Sequence, residues 1–491
     1  MSGYWLLIAV LLPIIGGALV MLIPFPTRKA MCLYLEILMA ATSAIVLNLT
    51  LRGPTEVFDV INFMQGVSIS FRVDGMSMVF ATLVAVLWPL AMLYSFEYME
   101  HEEHQRVFFM FYAMTYGVTL GIAFAANILC MYVFYELLTL VTVPLILHSL
   151  TREAVLASRK YLYYSFGGAA FALIAIIFVM VNGTTLDFTL GGVFPSGLAP
   201  KTVQILMVVY VLGFMGFGVK AAIWPLCSWL PQAGVAPTPV TALLHAVAVV
   251  KAGVFAIIRL TYYSFGTDLV KGTWAQTVVM GFAMFTIVYG CYNAVKETHI
   301  KRRLAYSTVS NLSYVIFGAA IMTPQGMTGA LCHLVCHAFM KIGLFLCAGS
   351  IMHQTGVSDI RKMNGFGRKM PVVFICYTIA GLGLMGVPGL AGFVSKWSLA
   401  GAAAQSGSIQ AFLGVGCLMI SAFLTAIYTM SLVVRAFFPG ADFDYSAISS
   451  VKDPTWRMCI PLCLFAAGVI LFGLTGPRLT GFLYNVSTGI Y

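Results

Sequence analysis

Five ionisable side chains stand inside or beside long apolar stretches of this 491-residue chain: Glu136, Lys220, Lys251, Lys341 and Lys396. Each such group costs about 2.5–3.5 kcal/mol at a bilayer centre, so the five together cost on the order of 12–18 kcal/mol, as much as the net stability of a typical protein. Groups that costly mark ion and proton paths. Glu136, in MYVFYELLTLV, is the one carboxylate near the middle of an apolar stretch. A buried salt bridge that fixes helix packing is its structural reading, and that reading is compatible with transport. Lys220 is its natural partner. Desolvation disfavours an ammonium and a nearby carboxylate favours it, so moving the carboxylate away releases a proton, and the titration belongs to the pair.

Three further groups fall into patterns. Lys251 lies in TPVTALLHAVAVVKAGVFA with His245 six residues earlier. Six residues span about 9 Å of helix, too far for a direct bond and within reach of a bridging water. His245 is equally well read as bonding a neighbouring carbonyl. His333, His337 and Lys341, in CHLVCHAFMKIG, recur every four residues on one helical face. Imidazole exchanges protons near neutral pH, so two leading to an amine form a proton relay. A polar packing ladder and a metal site are the rivals; against the metal, no Glu follows the first histidine as in HExxH. Lys396, in GFVSKW, is read as an exit group or as a lysine snorkelling to the interface. Asp74, Glu97 and the run EYMEHEEHQR are read as loop or helix-end charges.

The elements that must position these groups are membrane helices. The chain is 60% apolar and 9% charged, against about 25% charged in a soluble domain. Apolar runs of about 20 residues recur throughout, while the alternating segments of a β-barrel are missing. The reading is an all-α polytopic membrane protein of about fourteen spans: 4–24, 31–51, 72–95, 107–124, 127–149, 160–183, 203–232, 240–262, 275–295, 303–323, 329–352, 372–405, 408–437 and 457–476. The start, MSGYWLLIAV, has no basic region and reads as the first span rather than a cleaved signal. The net charge of +10 sits in short loops, which argues against nucleic acid. Seventeen Lys and Arg fall in one set of alternating loops, and six (Arg52, Arg72, Lys201, Arg259, Lys271 and Arg478) in the other. Both termini are therefore expected on the non-cytoplasmic side of a prokaryotic-type cell (inner) membrane. The eleven cysteines include no CxxC pair, so no disulfide framework, haem, iron–sulfur cluster or other cofactor is expected.

Two spans are interrupted by proline. One reads GVKAAIWPLCSWLPQAGVAPTPV and the other GLGLMGVPGLAGFVSKW. Proline breaks the helical ladder, and unwound backbone survives in a membrane only beside protein or trapped water. Paired broken spans point to a transporter built from inverted repeats. Each break adjoins a lysine, Lys220 before the first and Lys396 after the second.

The ordered motifs YELLTL, GVKAAIWPLCSWLPQAGVAPTPVTALLHAVAVVKAG, IKRRLAYSTVSNLSYV, HLVCHAFMKIGLFLCAGSIMH and GVPGLAGFVSKW resemble the antiporter-like subunits of respiratory complex I, of Mrp-type cation/proton antiporters and of membrane-bound hydrogenases. The resemblance implies fourteen helices with two inverted five-helix repeats. The divisions are 1–98 for three N-terminal spans, 99–262 and 263–437 for the repeats, and 438–491 for a loop and the last span. By matched motif, Glu136 and Lys220 look like the family's coupling pair. Lys251 and the His333–His337–Lys341 stripe look like its central axis, and Lys396 like its terminal lysine. Lysine at that last position departs from the complex I subunit type that carries glutamate there. The chain ends about fifteen residues after its final span, so it is not expected to be the distal complex I subunit with its long lateral helix. A D-type Mrp subunit, or an Mrp-like module of a hydrogenase or formate-oxidising complex, is the branch it most resembles.

The expected function is proton translocation, with Na⁺ as the exchanged ion in an antiporter, by a non-redox subunit. Its partners would be the lipid bilayer and the other membrane subunits of an Mrp-type, hydrogenase or complex I-like assembly. A free-standing secondary transporter of an organic solute is the alternative, and would need a substrate pocket at the midplane.

Overall fold

A computed structural model describes residues 2–64, 66–440 and 443–491. Helices dominate. In order they are α1 (Ser2–Leu22), α2 (Arg28–Arg52), α3 (Gly75–Tyr98), α4 (Gln105–Phe124), α5 (Ile128–Ile146), α6 (Arg152–Asn182) and α7 (Pro200–Gly218). Then come α8 (Trp229–Ala233), α9 (Thr238–Ala246), α10 (Val249–Ile258), α11 (Thr267–Val270), α12 (Trp274–Lys296), α13 (Ile300–Ala320) and α14 (Pro324–Thr355). The last are α15 (Phe366–Lys369), α16 (Pro371–Met385), α17 (Ala391–Gln405), α18 (Ile409–Phe437), α19 (Trp456–Leu474) and α20 (Gly476–Ser487). Among the described residues, twelve helical stretches are long and apolar enough to cross a bilayer. The chain is a multi-pass membrane protein. Two of the fourteen expected spans are not in that set. One is α13, which opens on the charged run IKRR and carries a polar stripe. The other is the α16–α17 pair, cut in two by its break.

Three local features depart from the sequence reading. The all-α expectation misses an antiparallel hairpin, β1 (Phe58–Met64) with β2 (Val67–Phe71), in which Phe58 pairs with Phe71. Its alternation of Val, Ile and Phe with polar residues is the period of a strand. The span expected at 240–262 is not one helix. Its backbone leaves the helical region at Val247 (φ −129°) and Ala248 (φ −91°, ψ −85°), restarts as α10, and widens into a π-helix over Arg259–Phe265. The span expected at 203–232 stops at Gly218, and residues 219–228 form an irregular turn before α8.

The centre of the molecule is α14, a 32-residue helix whose membrane-length window is entirely buried, as is that of the α9–α10 stretch. A helix apolar on all sides belongs inside a bundle, and these two carry most of the buried ionisable groups. At the periphery, α6 exposes Phe166, Phe171 and Ile177, a face suited to lipid.

Candidate functional site

The first break brings Lys220 to Glu136. The turn after α7 is irregular because Ala222 sits at φ 56°, a left-handed conformation that costs a residue with a Cβ about 1–2 kcal/mol. Gly253 of α10 lies so close to this turn that a Cβ there would collide with the Ala221 amide. Lys220 is thereby held against the helix that carries Lys251. The Lys220 ammonium lies 3.7 Å from Glu136 Oε1, and its side chain is fully buried. It also donates to the Tyr135 carbonyl, and stands 3.4 Å from the Tyr135 ring centroid. Glu136 Oε1 accepts no hydrogen bond among the described residues, and its side chain is 22% exposed on the outer face of α5. The pair is close without being locked.

Lys251 joins the two sides of the molecule. Its ammonium donates to the Leu334 carbonyl at 2.9 Å and lies 3.0 Å from His337 Nδ1, both on α14. The His337 and His333 rings stack with centroids 5.7 Å apart, and His333 stacks in turn on Tyr314 at 4.9 Å. His333 Nδ1 bonds Ser395 Oγ of α17 at 2.9 Å. The second ring nitrogen of each histidine, Nε2, is buried and has no protein partner among the described residues. Imidazole nitrogens left in this way suit proton exchange through water. Among the described residues neither ring is capped by backbone, as a packing ladder would require. Among the described residues, no three His, Cys, Asp or Glu side chains gather as a metal site.

Lys341 continues the stripe along α14 but turns aside. It donates to Ser307 Oγ of α13 at 2.8 Å, and Ser307 lies 2.6 Å from Tyr428 Oη on α18. The stripe thus divides between a Lys251–His337–His333 contact and a Lys341–Ser307–Tyr428 branch. His245 is fully buried, lies 4.7 Å from the Phe345 ring, and has both ring nitrogens unpartnered among the described residues. The carbonyl partner open to it in the sequence reading is not made.

The second break is built differently. α16 ends at Met385, and Gly392 at the start of α17 comes so near Gly383 that a Cβ would strike its carbonyl. Lys396 reaches back to donate to the Leu384 and Met385 carbonyls at 2.8 and 3.2 Å. These carbonyls end a helix, where partial negative charge attracts a cation. The lysine is partly buried, 5.2 Å from the Tyr314 ring, and does not snorkel into water.

Several charges that read as loop or helix-end groups make specific bonds inside the bundle; Asp74 and Glu97 do stand at the two ends of α3. Arg259 is fully buried in the π-helix, where its guanidinium makes two 2.7 Å bonds to Asp74. Asp74 also caps α3 by accepting from the Ser77 amide at 2.9 Å. Lys301 is buried in the first turn of α13 and donates to the Ala236 carbonyl at 2.7 Å. Arg303 is buried beside it and donates to the Tyr428 carbonyl at 2.8 Å. Glu97, at the end of α3, accepts from the Thr455 amide at 2.9 Å and so anchors the start of α19. These residues stand near the ends of apolar runs, where a charged residue normally reads as solvated.

Comparison with known proteins decides the family. Residues 125–425 match the family described as NADH:quinone oxidoreductase/Mrp antiporter, transmembrane region. Residues 63–109 match the N-terminal region of chain 5 of complex I, NADH-ubiquinone oxidoreductase. The chain belongs to the NADH:quinone oxidoreductase/Mrp antiporter family. It is 27% identical over 496 residues to NADH-quinone oxidoreductase subunit N of Desulforudis audaxviator, covering 98% of this chain and 97% of that one. It is 30% identical over 435 residues to a Na⁺/H⁺ antiporter subunit of Alkalihalophilus pseudofirmus, covering 83% of this chain and 52% of that one. It therefore spans nearly all of the first relative and about half the length of the second. A chain in the Mrp complex of Dietzia sp. DQ12-45-1b shares the fold with a TM-score of 0.86, at 24% identity over 98% of this chain and 52% of that one. Within this family, both breaks and the buried lysines lie inside the 125–425 match.

Proposed function

We propose that this chain is the proton-translocating, antiporter-like subunit of a larger membrane complex. The observation that carries the reading is the direct 3.0 Å contact between Lys251 and His337, which links the helix beside the Glu136–Lys220 pair to the imidazole pair on α14. The assigned roles are a switchable pair at Glu136 and Lys220, a central exchange at Lys251, His337 and His333, a branch at Lys341, and a terminal group at Lys396. His245, whose ring nitrogens bond no described residue, joins the axis through water. A buried set dominated by cations favours protons over Na⁺, which prefers oxygen ligands. An exchanged Na⁺ would then move elsewhere in the assembly. The repeats run over 99–262 and 263–437, each containing one of the two proline breaks, at Pro225 and at Pro388. Both termini lie on the non-cytoplasmic side of a cell (inner) membrane, in keeping with the loop charges.

The partners are other membrane subunits, as in the Mrp complex that shares the fold. The outward-facing, partly exposed Glu136 fits a neighbour's influence on the pair. The test is proton flux in vesicles holding the complex with and without Lys251→Met. Lysine to methionine keeps the length and removes the exchangeable proton, so flux should fall by on the order of 100-fold while the complex still assembles. Flux close to wild type would reject the axis.

A further inference from the structure

A cavity of about 970 Å³ opens on the outer surface between α2, α3, α14, α19 and α20, away from the cation axis. Its walls are almost wholly apolar and include Leu83, Phe339, Leu471 and Phe482. The rim leucines Leu51, Leu471 and Leu474 are 85, 56 and 71% exposed. The two hydroxyls in the wall, Thr50 and Thr82, are 3.0 Å apart and bonded to each other. The groove therefore asks for hydrocarbon and offers nothing to a polar solute.

Two of the lining leucines have an arginine next to them in sequence. Leu51 is followed by Arg52, the last residue of α2, and Leu479 is preceded by Arg478, in the first turn of α20. Both arginines are exposed, and among the described residues neither joins an ion pair. A cation in a first helical turn opposes the helix dipole unless an anion stands beside it. Arg478 is so placed, whereas Arg52 stands in the last turn of α2, where the dipole favours it. An apolar groove with an exposed arginine next in sequence to each of two of its leucines matches a lipid with fatty acyl chains and a phosphate head group.

We propose that this groove binds the acyl chains of an anionic diacyl phospholipid, with its phosphate held by Arg52 and Arg478. The lipid would fill the space between the α2–α3 hairpin and the last two helices, and so tie α20 to the rest of the bundle. A helix from a neighbouring protein would instead have to bring its own carboxylates to these two arginines.

The test uses the intact complex in phosphatidylcholine vesicles doped with a trace of photoactivatable lipid. The probe carries a diazirine on its acyl chain and has either a phosphatidylglycerol or a phosphatidylcholine head group. After irradiation, adducted peptides are mapped by mass spectrometry. Each arginine favours an anionic head group by about fivefold, so peptides from α19–α20 and α3 should prefer the phosphatidylglycerol probe by on the order of 25-fold. The exposed face of α6, at Phe166 and Phe171, is the internal control and should show no such preference. Arg52→Gln with Arg478→Gln should abolish the preference at the groove and leave α6 labelling unchanged. Equal labelling of the groove by both probes would overturn the proposal and leave ordinary annular lipid. Absence of groove labelling while α6 is labelled would also overturn it, and assign the groove to a neighbouring protein of the complex.

Discussion

Two carboxylates meet a fully buried cation among the described residues, and the two pairs are built to opposite ends. Asp74 and Arg259 meet through two parallel 2.7 Å bonds. The guanidinium is further packed against Phe188, Phe255 and Tyr263, with ring centroids 4.7–5.2 Å away. Glu136 and Lys220 meet once, at 3.7 Å, and the facing carboxylate oxygen accepts no hydrogen bond from the described residues. A bidentate arginine is permanently charged and fixes both position and protonation. A lysine facing a loosely held carboxylate can lose its proton when the carboxylate moves or is neutralised. The first arrangement clamps α3 to the end of α10. The second stores a proton that geometry controls. Burial and opposite charge are common to both, so the bonding pattern separates structure from function.

The largest expected effect falls on the loose pair. Lys220→Ala and Glu136→Gln should each lower proton flux in vesicles by on the order of 100-fold, the usual scale for losing a positioned proton-transfer group. The complex should still assemble: Glu136 is partly exposed, and Lys220→Ala, though it gives up the bond to the Tyr135 carbonyl, removes a buried charge rather than leaving one unpaired. Near-normal flux in both variants would sink the pair as a coupling element and make it a second clamp.

Asp74→Asn attacks the tight pair and should do the reverse. It leaves Arg259 buried without a counter-charge, a change that costs about 3–5 kcal/mol when one partner of a buried pair is removed. The readout is thermal unfolding of the purified complex set beside flux per folded molecule. A marked fall in melting temperature with flux retained supports the division. Unchanged stability with lost flux would move Asp74 and Arg259 into the transport machinery.

The two pairs are not equally legible in the sequence. Glu136 and Lys220 stand out because each interrupts an apolar run, and the Pro225 and Pro388 breaks announce themselves by residue type. The four-residue spacing of His333, His337 and Lys341 correctly puts them on one helix. Spacing on one helix says nothing about which neighbour each meets, so the Lys251–His337 contact and the turn of Lys341 toward Ser307 come only from packing. The break at Val247–Ala248 has neither proline nor glycine to mark it. It is imposed by tertiary structure, as is the π-helix that carries Arg259. Arg259 and Lys301 escape a sequence reading for the opposite reason. A basic residue near the end of an apolar run is normally solvated, and nothing local reveals that a carboxylate 185 positions away or a broken helix's carbonyl will cover it.

The smallest effect sharpens the comparison through pH. Burial alone would push the Asp74 carboxyl up, but the Arg259 guanidinium on both oxygens outweighs it, with help from Arg72 and the Ser77 amide, and holds it at about 2. A carboxyl whose folded value is depressed contributes stability above its ordinary value near 4, and that contribution is lost as the pH falls through its folded value. For Asp74 the window therefore runs from about pH 4 down to about 2, and the contribution is about 2 kcal/mol. Asp359 is also held at about 2, by the Arg361 side chain and amide, so acid sensitivity of the wild type does not by itself identify Asp74. The difference does. Asp74→Asn should start less stable at pH 6 and lose about 2 kcal/mol less than wild type between pH 5 and pH 2. Parallel acid curves for the two proteins would show that the clamp does not hold Asp74 in its ionised form, and the contrast with the Glu136–Lys220 pair would then lose its basis.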